Sequence, residues 1–581
     1  MKLLNIFIIL FVVSSLNAQE RDATFMRIEK TYTLNSDGSY TFDYKHQLKY
    51  ESYLAFHRKY GETFIVYNPD YQSVEVTKCQ TTMADGKVVK APDNAFNEVL
   101  PRFAASSGTY NNLRELVITH TGLEVGSIVD LQYTVNSDKF PLDIFAGMES
   151  LLQTSPTTEL VLKFNIPSDK YLTFGGHIEE QVVNENEDSK TYTFIYKNLP
   201  EALHNSMLGL DKTYALQFCD GSTFKDQIQE LFENRLSSSE NTYAKANAEN
   251  MDEIMKMHRE VVKNIKTIHI PFSFQTLPLP EIEALELKNS GTELEKAFLL
   301  HNRFIERNIQ SKIVFVVPAN LFDESKTPLE SVGKILVMVP SENGDPLLMP
   351  LDRMPGNNML YTQYNKVLVA VDGSKNIQIV SPKTMNYAKV NFTLDIGSDY
   401  AEAKYNGNIT GIFAGWPGAN LYSKRLFTQD RQEVEEEIII DKDPATLKIS
   451  GRFKTMHSQM GDYIDVVLPQ LNSGFHQIES SDLPKEGKYK IDLGYPLHEE
   501  YTYTIELSDE QRFVQLPEEI QTTTEHFDII LSTQVSGNVA TINVNLNFKA
   551  TSIPIDEYQK FRKTLAEIQG SNQYKVVVKV K

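Results

Sequence analysis

The sequence predicts an α+β protein of several domains, with β-rich regions at both ends and a region of mixed helices and strands between them. Three observations support this fold class. The chain has 581 residues, which is enough for three or four domains of ordinary size. Residues 21–138 and 389–581 contain extended runs broken by turns, which is typical of strands. A strong helix start lies between these regions, within residues 289–300.

The N-terminal region has the pattern of β-hairpins. Arg27–Leu34 and Tyr40–Tyr50 are extended runs, and the turn between them contains Asp37 and Gly38. Strand-like runs rich in aromatic and β-branched residues continue as far as Tyr196. We therefore expect residues 19–240 to form an antiparallel β-sandwich, in which two sheets pack face to face.

The helix start in the middle of the chain carries a capping box. Thr292 is followed three residues later by Glu295, so Thr292 is the predicted N-cap and Glu293 the first helical residue. Gly291 stands just ahead of the cap, where backbone freedom is useful. Apolar residues then recur at helical spacing and predict one buried face: Leu294, Ala297, Phe298, Leu300, Phe304 and Ile305.

Short apolar runs follow this helix and predict the sheet against which it packs. They are Ile313–Val317, Ile335–Val339 and Leu347–Leu351. Helix and strands together predict a central α+β domain over residues 241–388. Beyond it, we expect residues 389–581 to form a C-terminal β-rich domain with one helix, Ile555–Gln569.

Residues 1–18 have the three parts of a signal peptide. Lys2 gives the positive start, Leu3–Val13 the apolar stretch, and Leu16–Ala18 a small-residue cleavage site. The apolar stretch is too short to span a bilayer, and no later segment is long and apolar enough. The sequence therefore predicts cleavage after Ala18 and a periplasmic or secreted protein without a membrane span.

Charge and cysteine content restrict the function further. The net charge of −20 argues against nucleic acid as a partner and against electrostatic docking on anionic lipid. Cys79 and Cys219 are too few and too distant to form a disulfide framework, and we expect two buried thiols. A helix predicted near Ser222 could lower the pKa of Cys219, but the spacing offers that thiol no histidine. No phosphate-binding loop or metal-ligand spacing is present, so no cofactor and no metal is expected.

The helix start resembles the first turn of the catalytic helix in transglutaminase-like domains, which have the papain fold. The family pattern is Gly-Asp-Cys-Lys-Asp-Lys-Ala, and this chain has Gly-Thr-Glu-Leu-Glu-Lys-Ala at 291–297. The phrases Tyr67–Val74, Asp85–Val88 and Gly122–Ile128 resemble landmarks of a domain of unknown function, DUF3857. The chain is thus similar to secreted Gram-negative proteins in which that N-terminal domain precedes a transglutaminase-like core and a C-terminal β-domain.

The resemblance places three residues at the positions of the family's catalytic triad. Glu293 stands where the family has its nucleophilic cysteine, Lys334 where it has its histidine, and Asp352 where it has its aspartate. A carboxylate is a poor acyl carrier, and a lysine beside a carboxylate keeps its proton. The resemblance therefore implies a core that has lost its catalytic pair, because the triad members act together.

The same alignment predicts a replacement interaction. Cysteine and histidine touch in active members of the family, so Glu293 and Lys334 should be neighbours, with Asp352 as a second acceptor. An ion pair requires a separation of about 4 Å or less. The alternative is that Glu293 and Lys334 point into solvent.

Three functions remain open at this stage. The first is an exported, non-catalytic binding or scaffolding protein, whose partner is a peptide, a glycan or an envelope protein. The second is a peptide- or glycan-processing enzyme with Glu293 and Asp352 as acid and base. The third is assembly through edge strands of the β-domains. Trp416, the single tryptophan, could stack on a sugar ring or fill a turn.

Overall fold

The computed structural model describes residues 21–580 except for sixteen gaps. These gaps are 106, 140–143, 204–206, 210–212, 233–241, 248, 276–278, 343, 354–358, 373–377, 415–425, 429–431, 441–445, 486, 488 and 571–572. The predicted signal peptide and Trp416 lie outside the described residues. The described chain is β-rich and forms several sheets in three regions, which confirms the coarse fold class.

The regular elements of the N-terminal region are mainly strands, with one short π-helix at Ala55–Lys59. They are β1 Ala23–Leu34, β2 Tyr40–Tyr50, β3 Glu62–Tyr67, β4 Gln72–Thr82, β5 Val88–Lys90, β6 Phe96–Val99, β7 Arg114–Thr119, β8 Ile128–Ser137, β9 Ala146–Ser150, β10 Thr157–Pro167, β11 Thr173–Gly176, β12 Glu180–Glu185, β13 Ser189–Leu199, β14 Leu208–Gly209 and β15 Ala215–Cys219. An eight-stranded sheet has the order β12-β13-β10-β1-β2-β8-β4-β5. Two three-stranded sheets accompany it, in the orders β3-β7-β6 and β11-β15-β9.

The large N-terminal sheet is not purely antiparallel, which corrects the prediction. Strand β1 pairs with β10 in parallel, with Ile28 opposite Leu160 and Tyr32 opposite Phe164. Hairpin connections produce only antiparallel neighbours, whereas a parallel pair needs a long crossover. More than one hundred residues separate β1 from β10, and this excursion supplies the crossover. Tyr32 and Phe164 stack with ring centroids 5.3 Å apart, so the parallel pair also builds the aromatic core.

The central region combines four helices with a five-stranded antiparallel sheet. Its elements are α1 Phe224–Phe232, α2 Met251–Asn264, α3 Ile282–Glu286, α4 Glu293–Glu306, β16 Lys266–Thr267, β17 Ser290–Gly291, β18 Lys312–Pro318, β19 Lys334–Val339, β20 Leu347–Pro350, β21 Lys366–Ala370 and β22 Gln378–Ile379. The sheet order is β20-β19-β18-β21-β22. The apolar face of α4 packs in one core with the inward side chains of β18, β19 and β20. Helix α1 belongs to this core too, although it precedes the predicted boundary at residue 240.

The C-terminal region is again β-rich, as predicted. Its elements are β23 Tyr387–Ile396, β24 Tyr400–Thr410, β25 Gln432–Ile440, β26 Thr446–Met456, β27 Ser458–Met460, β28 Tyr463–Val467, β29 Lys490–Asp492, β30 Leu497–Glu506, β31 Gln511–Gln515, β32 Ile520–Thr523, β33 Phe527–Ser536, β34 Val539–Phe548, β35 Ser552–Ile553, α5 Ile555–Ile568 and β36 Lys575–Val580. Eight strands form one sheet and four another. Phe561 of α5 packs edge-on against Phe527, with ring centroids 5.1 Å apart.

The N-terminal and central regions are in direct contact. Ile268 and Ile270 share a small apolar cluster with Ala104, Tyr110 and Leu113. A search of the described residues finds no helix with the length and hydropathy needed to cross a membrane.

Candidate functional site

Helix α4 begins with the predicted capping box. The Thr292 amide donates to Glu295 Oε2 at 2.8 Å, and the Glu295 amide donates to Thr292 Oγ1 at 3.2 Å. Lys288 forms an ion pair with the other oxygen of Glu295 at 2.8 Å. Glu295 is 4% exposed, and both oxygens of its carboxylate have partners that stabilise the start of this helix.

Gly291 has a different role from the predicted one. Its φ angle is not among the left-handed ones in the structure. A Cβ at this position would lie 3.2 Å from Glu295 Oε2 and 3.5 Å from Ile265 Cγ2. Glycine is therefore needed because the capping carboxylate approaches the backbone closely.

Glu293, Lys334 and Asp352 meet beside this helix start. Lys334 Nζ lies 3.5 Å from Glu293 Oε1 and 3.0 Å from Asp352 Oδ2. The predicted ion-paired cluster is therefore present, and the solvent-pointing alternative is wrong for both side chains. The three side chains are between 17% and 20% exposed, so the cluster is largely buried but still accessible to solvent.

The backbone fixes the cluster from both sides. Glu293 is the first residue of α4, where the helix dipole favours a carboxylate. Its Oε2 accepts a hydrogen bond from the Ile335 amide at 3.4 Å, which ties α4 to β19. Lys334 is the first residue of β19, and Asp352 follows β20 by two residues. The pairing of β19 with β20 thus brings Lys334 and Asp352 together.

Asp352 is held in its ionised form. Burial alone would raise its pKa, but hydrogen bonds from Arg353 and Lys334 outweigh burial and lower the pKa to about 2. Arg353 donates from Nε and from a terminal nitrogen, at 3.3 Å and 3.2 Å. At neutral pH this carboxyl group has no proton to donate.

Lys296 lies one turn into α4 and is 1% exposed. Its Nζ donates to the Ile265 carbonyl and to Thr267 Oγ1, both at 2.7 Å. Burial lowers its pKa to about 8, while the charges of Asp352 and Glu293 act in the opposite direction. Sequence patterns alone do not indicate a role for this lysine. The available signal was the lysine at the same place in the family pattern, beside Ala297.

Two further contacts hold the segment that carries Asp352. Thr267 Oγ1 donates to the Leu351 carbonyl at 2.9 Å. The fully buried His258 forms a hydrogen bond through Nε2 with the Pro350 carbonyl. Burial lowers the pKa of His258 to about 4, so the ring is neutral at pH 7 and Nε2 is the donor. These contacts fix the backbone of Pro350 and Leu351, immediately before Asp352.

The structure also contains a cysteine–histidine contact outside the cluster. Cys79 Sγ lies 3.8 Å from His120 Nδ1 in the N-terminal region, and His120 Nε2 lies 2.9 Å from Thr63 Oγ1. Burial raises the pKa of Cys79 and lowers that of His120 to about 4. An activated pair needs a lowered pKa for the thiol and a raised pKa for the imidazole, so this is a contact between two neutral side chains.

Cys219 is fully buried, as expected, and both cysteines are free thiols. Burial raises the pKa of Cys219 to about 11, so a helix start does not lower it. Its Sγ donates to the Ser222 carbonyl at 3.0 Å. Cys79 is only half-buried, which corrects the expectation of two buried thiols. Within the described residues, no group of three His, Cys, Asp or Glu side chains has an arrangement suited to a metal ion.

Two families of unknown function match parts of the chain. Residues 36–202 match DUF3857, a domain of unknown function with a solved structure, and residues 463–578 match DUF3858, which has the same description. The first match confirms the family that the N-terminal landmarks indicated. Neither match includes the charged cluster, so the transglutaminase-like identity of the central domain stays a prediction. Among curated proteins, no sequence matches the chain.

Solved structures resemble the chain to different extents. A protein from Parabacteroides distasonis, described as a "putative protease", aligns with a TM-score of 0.71 and 20% identity, covering 96% of this chain and 99% of its own. At this identity the likeness concerns the fold alone. An M1 zinc metallopeptidase from Deinococcus radiodurans aligns at a TM-score of 0.19 and 12% identity, covering 34% of this chain and 42% of its own. That value is too low to support an argument.

Proposed function

We propose that this chain is an exported, non-catalytic binding or scaffolding protein, built on a transglutaminase-like core that has lost its catalytic pair. One observation carries the proposal. Lys334 Nζ lies 3.5 Å from Glu293 and 3.0 Å from Asp352. The family resemblance assigns Glu293 and Lys334 to the positions of the catalytic cysteine and histidine. Acyl transfer requires a nucleophile that can be activated and a base that can take its proton. This cluster offers neither.

The other charged groups nearby do not replace the missing pair. Lys296 has a lowered pKa, but its ammonium group is enclosed and donates to Ile265 and Thr267. A nucleophile or base must reach the substrate within hydrogen-bonding distance, and a side chain that is 1% exposed does not. Lys334 and Arg353 balance the charges of Glu293 and Asp352, and we assign this partly exposed cluster to recognition and not to catalysis.

The alternative of a carboxylate-based enzyme fits the geometry less well. Glycoside hydrolysis needs one carboxylic acid that keeps its proton near neutral pH. Asp352 has a pKa of about 2, and Lys334 bonds to Glu293 and Asp352 together. The contacts of Asp352 favour its ionised form, which is the reverse of what an acid catalyst requires.

The proposal also includes the location of the protein and the class of its partner. Residues 1–18 support a cleaved signal peptide and a periplasmic or secreted location. The candidate partners are a peptide, a glycan or another envelope protein, and the net charge of −20 disfavours nucleic acid. The Parabacteroides distasonis protein of similar fold is described as a "putative protease", and we test a peptide first.

The experiment compares the mature wild-type chain with Glu293→Ala and Asp352→Asn in assays of peptide hydrolysis, glutamine acyl transfer and glycan cleavage. We expect the same background rate from all three proteins. Turnover by the wild type that Glu293→Ala abolishes contradicts the proposal. Turnover abolished by Asp352→Asn supports the carboxylate-based alternative instead.

A binding assay tests the positive half of the proposal. Peptide and glycan arrays probed with the wild type should yield a saturable ligand whose affinity falls in Lys334→Ala. Lys326→Ala is the matched control, because Lys326 is an exposed lysine with a weak ion pair to Asp323 at 3.7 Å. Equal binding by both variants excludes the cluster as the recognition surface.

A further inference from the structure

A cavity of about 320 Å³ lies between the N-terminal sheets and the central domain, separate from the charged cluster. Aromatic side chains dominate its wall. Seven of them come from the N-terminal region and one from the segment after β16: Tyr32, Tyr40, Phe42, Phe64, Tyr71, Tyr133, Phe218 and Phe274. Its size lies at the lower end of the range for small-molecule sites. The Tyr71 hydroxyl donates to the Ser273 carbonyl at 3.4 Å, so both regions contribute to one wall.

One carboxylate enters this aromatic surface. Glu330 lines the cavity from a single helical turn, Leu329–Ser331. The turn is anchored on both sides: the Leu329 amide donates to Gln227 Oε1 at 3.1 Å, and Gln217 Nε2 donates to Ser331 Oγ at 2.8 Å. Glu330 is therefore presented by a fixed backbone and not by a mobile loop.

Within the described ranges, no cationic side chain pairs with Glu330. Among the residues that the structure describes, it forms no ion pair and no hydrogen bond to another side chain. Burial raises its pKa to about 7. A partly buried carboxylate without a cation is costly in an apolar setting, and a bound cation removes that cost.

Two other charged side chains near the cavity have partners in the part of the chain that the structure describes. Glu149 forms an ion pair with Lys30 at 2.6 Å and accepts a hydrogen bond from the Tyr32 hydroxyl. Lys139 Nζ lies 5.2 Å from the centroid of the Tyr71 ring, which is cation–π distance. One lining ring therefore already receives a cation from the chain, and Glu330 remains unneutralised.

We propose that this cavity binds an alkylammonium group, with the aromatic rings around its methylene or methyl groups and Glu330 as its countercharge. The faces of tyrosine and phenylalanine rings attract organic cations, and a carboxylate in the same cavity fixes the orientation of the bound cation. The group could belong to a lysine side chain of a bound peptide or to a small quaternary amine. Both carry a positive charge next to alkyl groups, although only the lysine ammonium can donate hydrogen bonds to Glu330, and the experiment separates them.

This site does not rest on the inertness of the charged cluster, because the two are formed by different residues. They do share their supporting segments. Ser273 and Phe274 follow Thr267, which contacts Lys296, and Glu330 precedes Lys334 by four residues.

The test is isothermal titration calorimetry on the mature full-length chain with two matched probe pairs. Nα-acetyl-lysine amide is compared with Nα-acetyl-norleucine amide, and choline with 3,3-dimethyl-1-butanol, its neutral isostere. We expect at least one cation to bind about tenfold or more tightly than its neutral partner. Preference for the lysine probe indicates a peptide ligand, and preference for choline a quaternary amine.

Variants locate the site. Glu330→Gln should weaken cation binding about tenfold while leaving the neutral probe unaffected, and Phe274→Leu should weaken it without removing any charge. Glu324→Gln is the control, because Glu324 is exposed and lies six residues earlier. Circular dichroism confirms that each variant is folded. Equal binding of cationic and neutral probes, undiminished binding by Glu330→Gln, or no binding of any probe overturns the proposal.

Discussion

Cys79 Sγ lies 3.8 Å from His120 Nδ1, yet the two side chains do not form a nucleophilic pair. Burial raises the pKa of the thiol and lowers that of the imidazole to about 4, so both groups are neutral at pH 7. The contact lies in the N-terminal region, whereas the helix start that resembles a catalytic one carries Glu293. Residue types alone would have pointed to the wrong pair.

Thiol reactivity tests this assignment. At pH 8 the native chain should react with iodoacetamide more slowly at Cys79 than the unfolded chain does, and more slowly still at Cys219, whose pKa is about 11. His120→Asn should leave the Cys79 rate within about twofold of the wild type. A decrease of about tenfold in that variant shows instead that His120 activates the thiol.

The charged cluster predicts that removing its lysine alone destabilises the fold more than neutralising all three side chains does. Lys334→Met leaves Glu293 and Asp352 facing each other without their shared cation. Removing one partner of a buried pair costs 3–5 kcal/mol in general, and partial exposure reduces the expected loss in free energy of unfolding to about 1–3 kcal/mol. Urea unfolding measures the loss.

The neutral triple variant is the comparison for that measurement. Glu293→Gln, Lys334→Met and Asp352→Asn together should cost less than Lys334→Met alone, because no two carboxylates are left facing each other and Arg353, which loses its partner Asp352, is 57% exposed to water. Lys326→Met should change stability by no more than about 0.5 kcal/mol, since its ion pair is exposed. A triple variant less stable than Lys334→Met means that the three side chains do not act as one electrostatic unit.

His258 predicts a pH dependence of stability with a defined sign. Its pKa in the folded chain is about 4, against 6.5 for an ordinary histidine, so the unfolded chain binds more protons between these values. Its contribution to stability is present above pH 6.5 and is lost as the pH falls toward 4. His258→Gln keeps a donor for the Pro350 carbonyl but does not titrate.

The difference between the wild type and this variant isolates the effect. His46 and His120 act in the same direction, while the raised pKa values of Glu330 and Glu499 act in the opposite one, and all four remain in both proteins. Between pH 7 and pH 4.5 the wild type should lose about 2 kcal/mol relative to His258→Gln. Parallel stability curves over this range contradict a neutral, buried His258.

Gly291 gives a test of the helix start. A methyl group there would meet the Glu295 carboxylate at 3.2 Å, so Gly291→Ala should displace the cap and cost about 1 kcal/mol. At Gly333, the nearest atom to an added Cβ is the Val316 carbonyl oxygen at 3.8 Å. Gly333→Ala is therefore the control and should be tolerated. Equal melting temperatures for the two variants rule out the crowding explanation for Gly291.

The sequence revealed the features that depend on neighbours along the chain. The Thr292–Glu295 cap, the apolar face of α4 and the strands that follow it are local patterns, and each is present. The Glu293–Lys334 contact spans a longer distance in sequence. It was predicted because a family resemblance brought the two positions together, and not because of any periodicity.

The features that the sequence did not reveal join segments that are distant in the chain. Cys79 and His120 are 41 positions apart, and Lys296 reaches Ile265 across 31. The parallel pairing of β1 with β10 and the cavity around Glu330 depend in the same way on how separate elements pack. Composition and turn signals do not specify such registers, because many pairings bury the same apolar residues.

The most direct test of the central claim restores the family's residues at positions 293 and 334. In a background of Cys79→Ser and Cys219→Ala, the pKa of the new thiol is measured from alkylation rate against pH in Glu293→Cys with Lys334→His. The control is Glu293→Cys with Lys334→Gln. If the two positions are those of a nucleophile and its base, the histidine variant should have a thiol pKa lower by about one unit or more. Equal pKa values in the two proteins contradict the account.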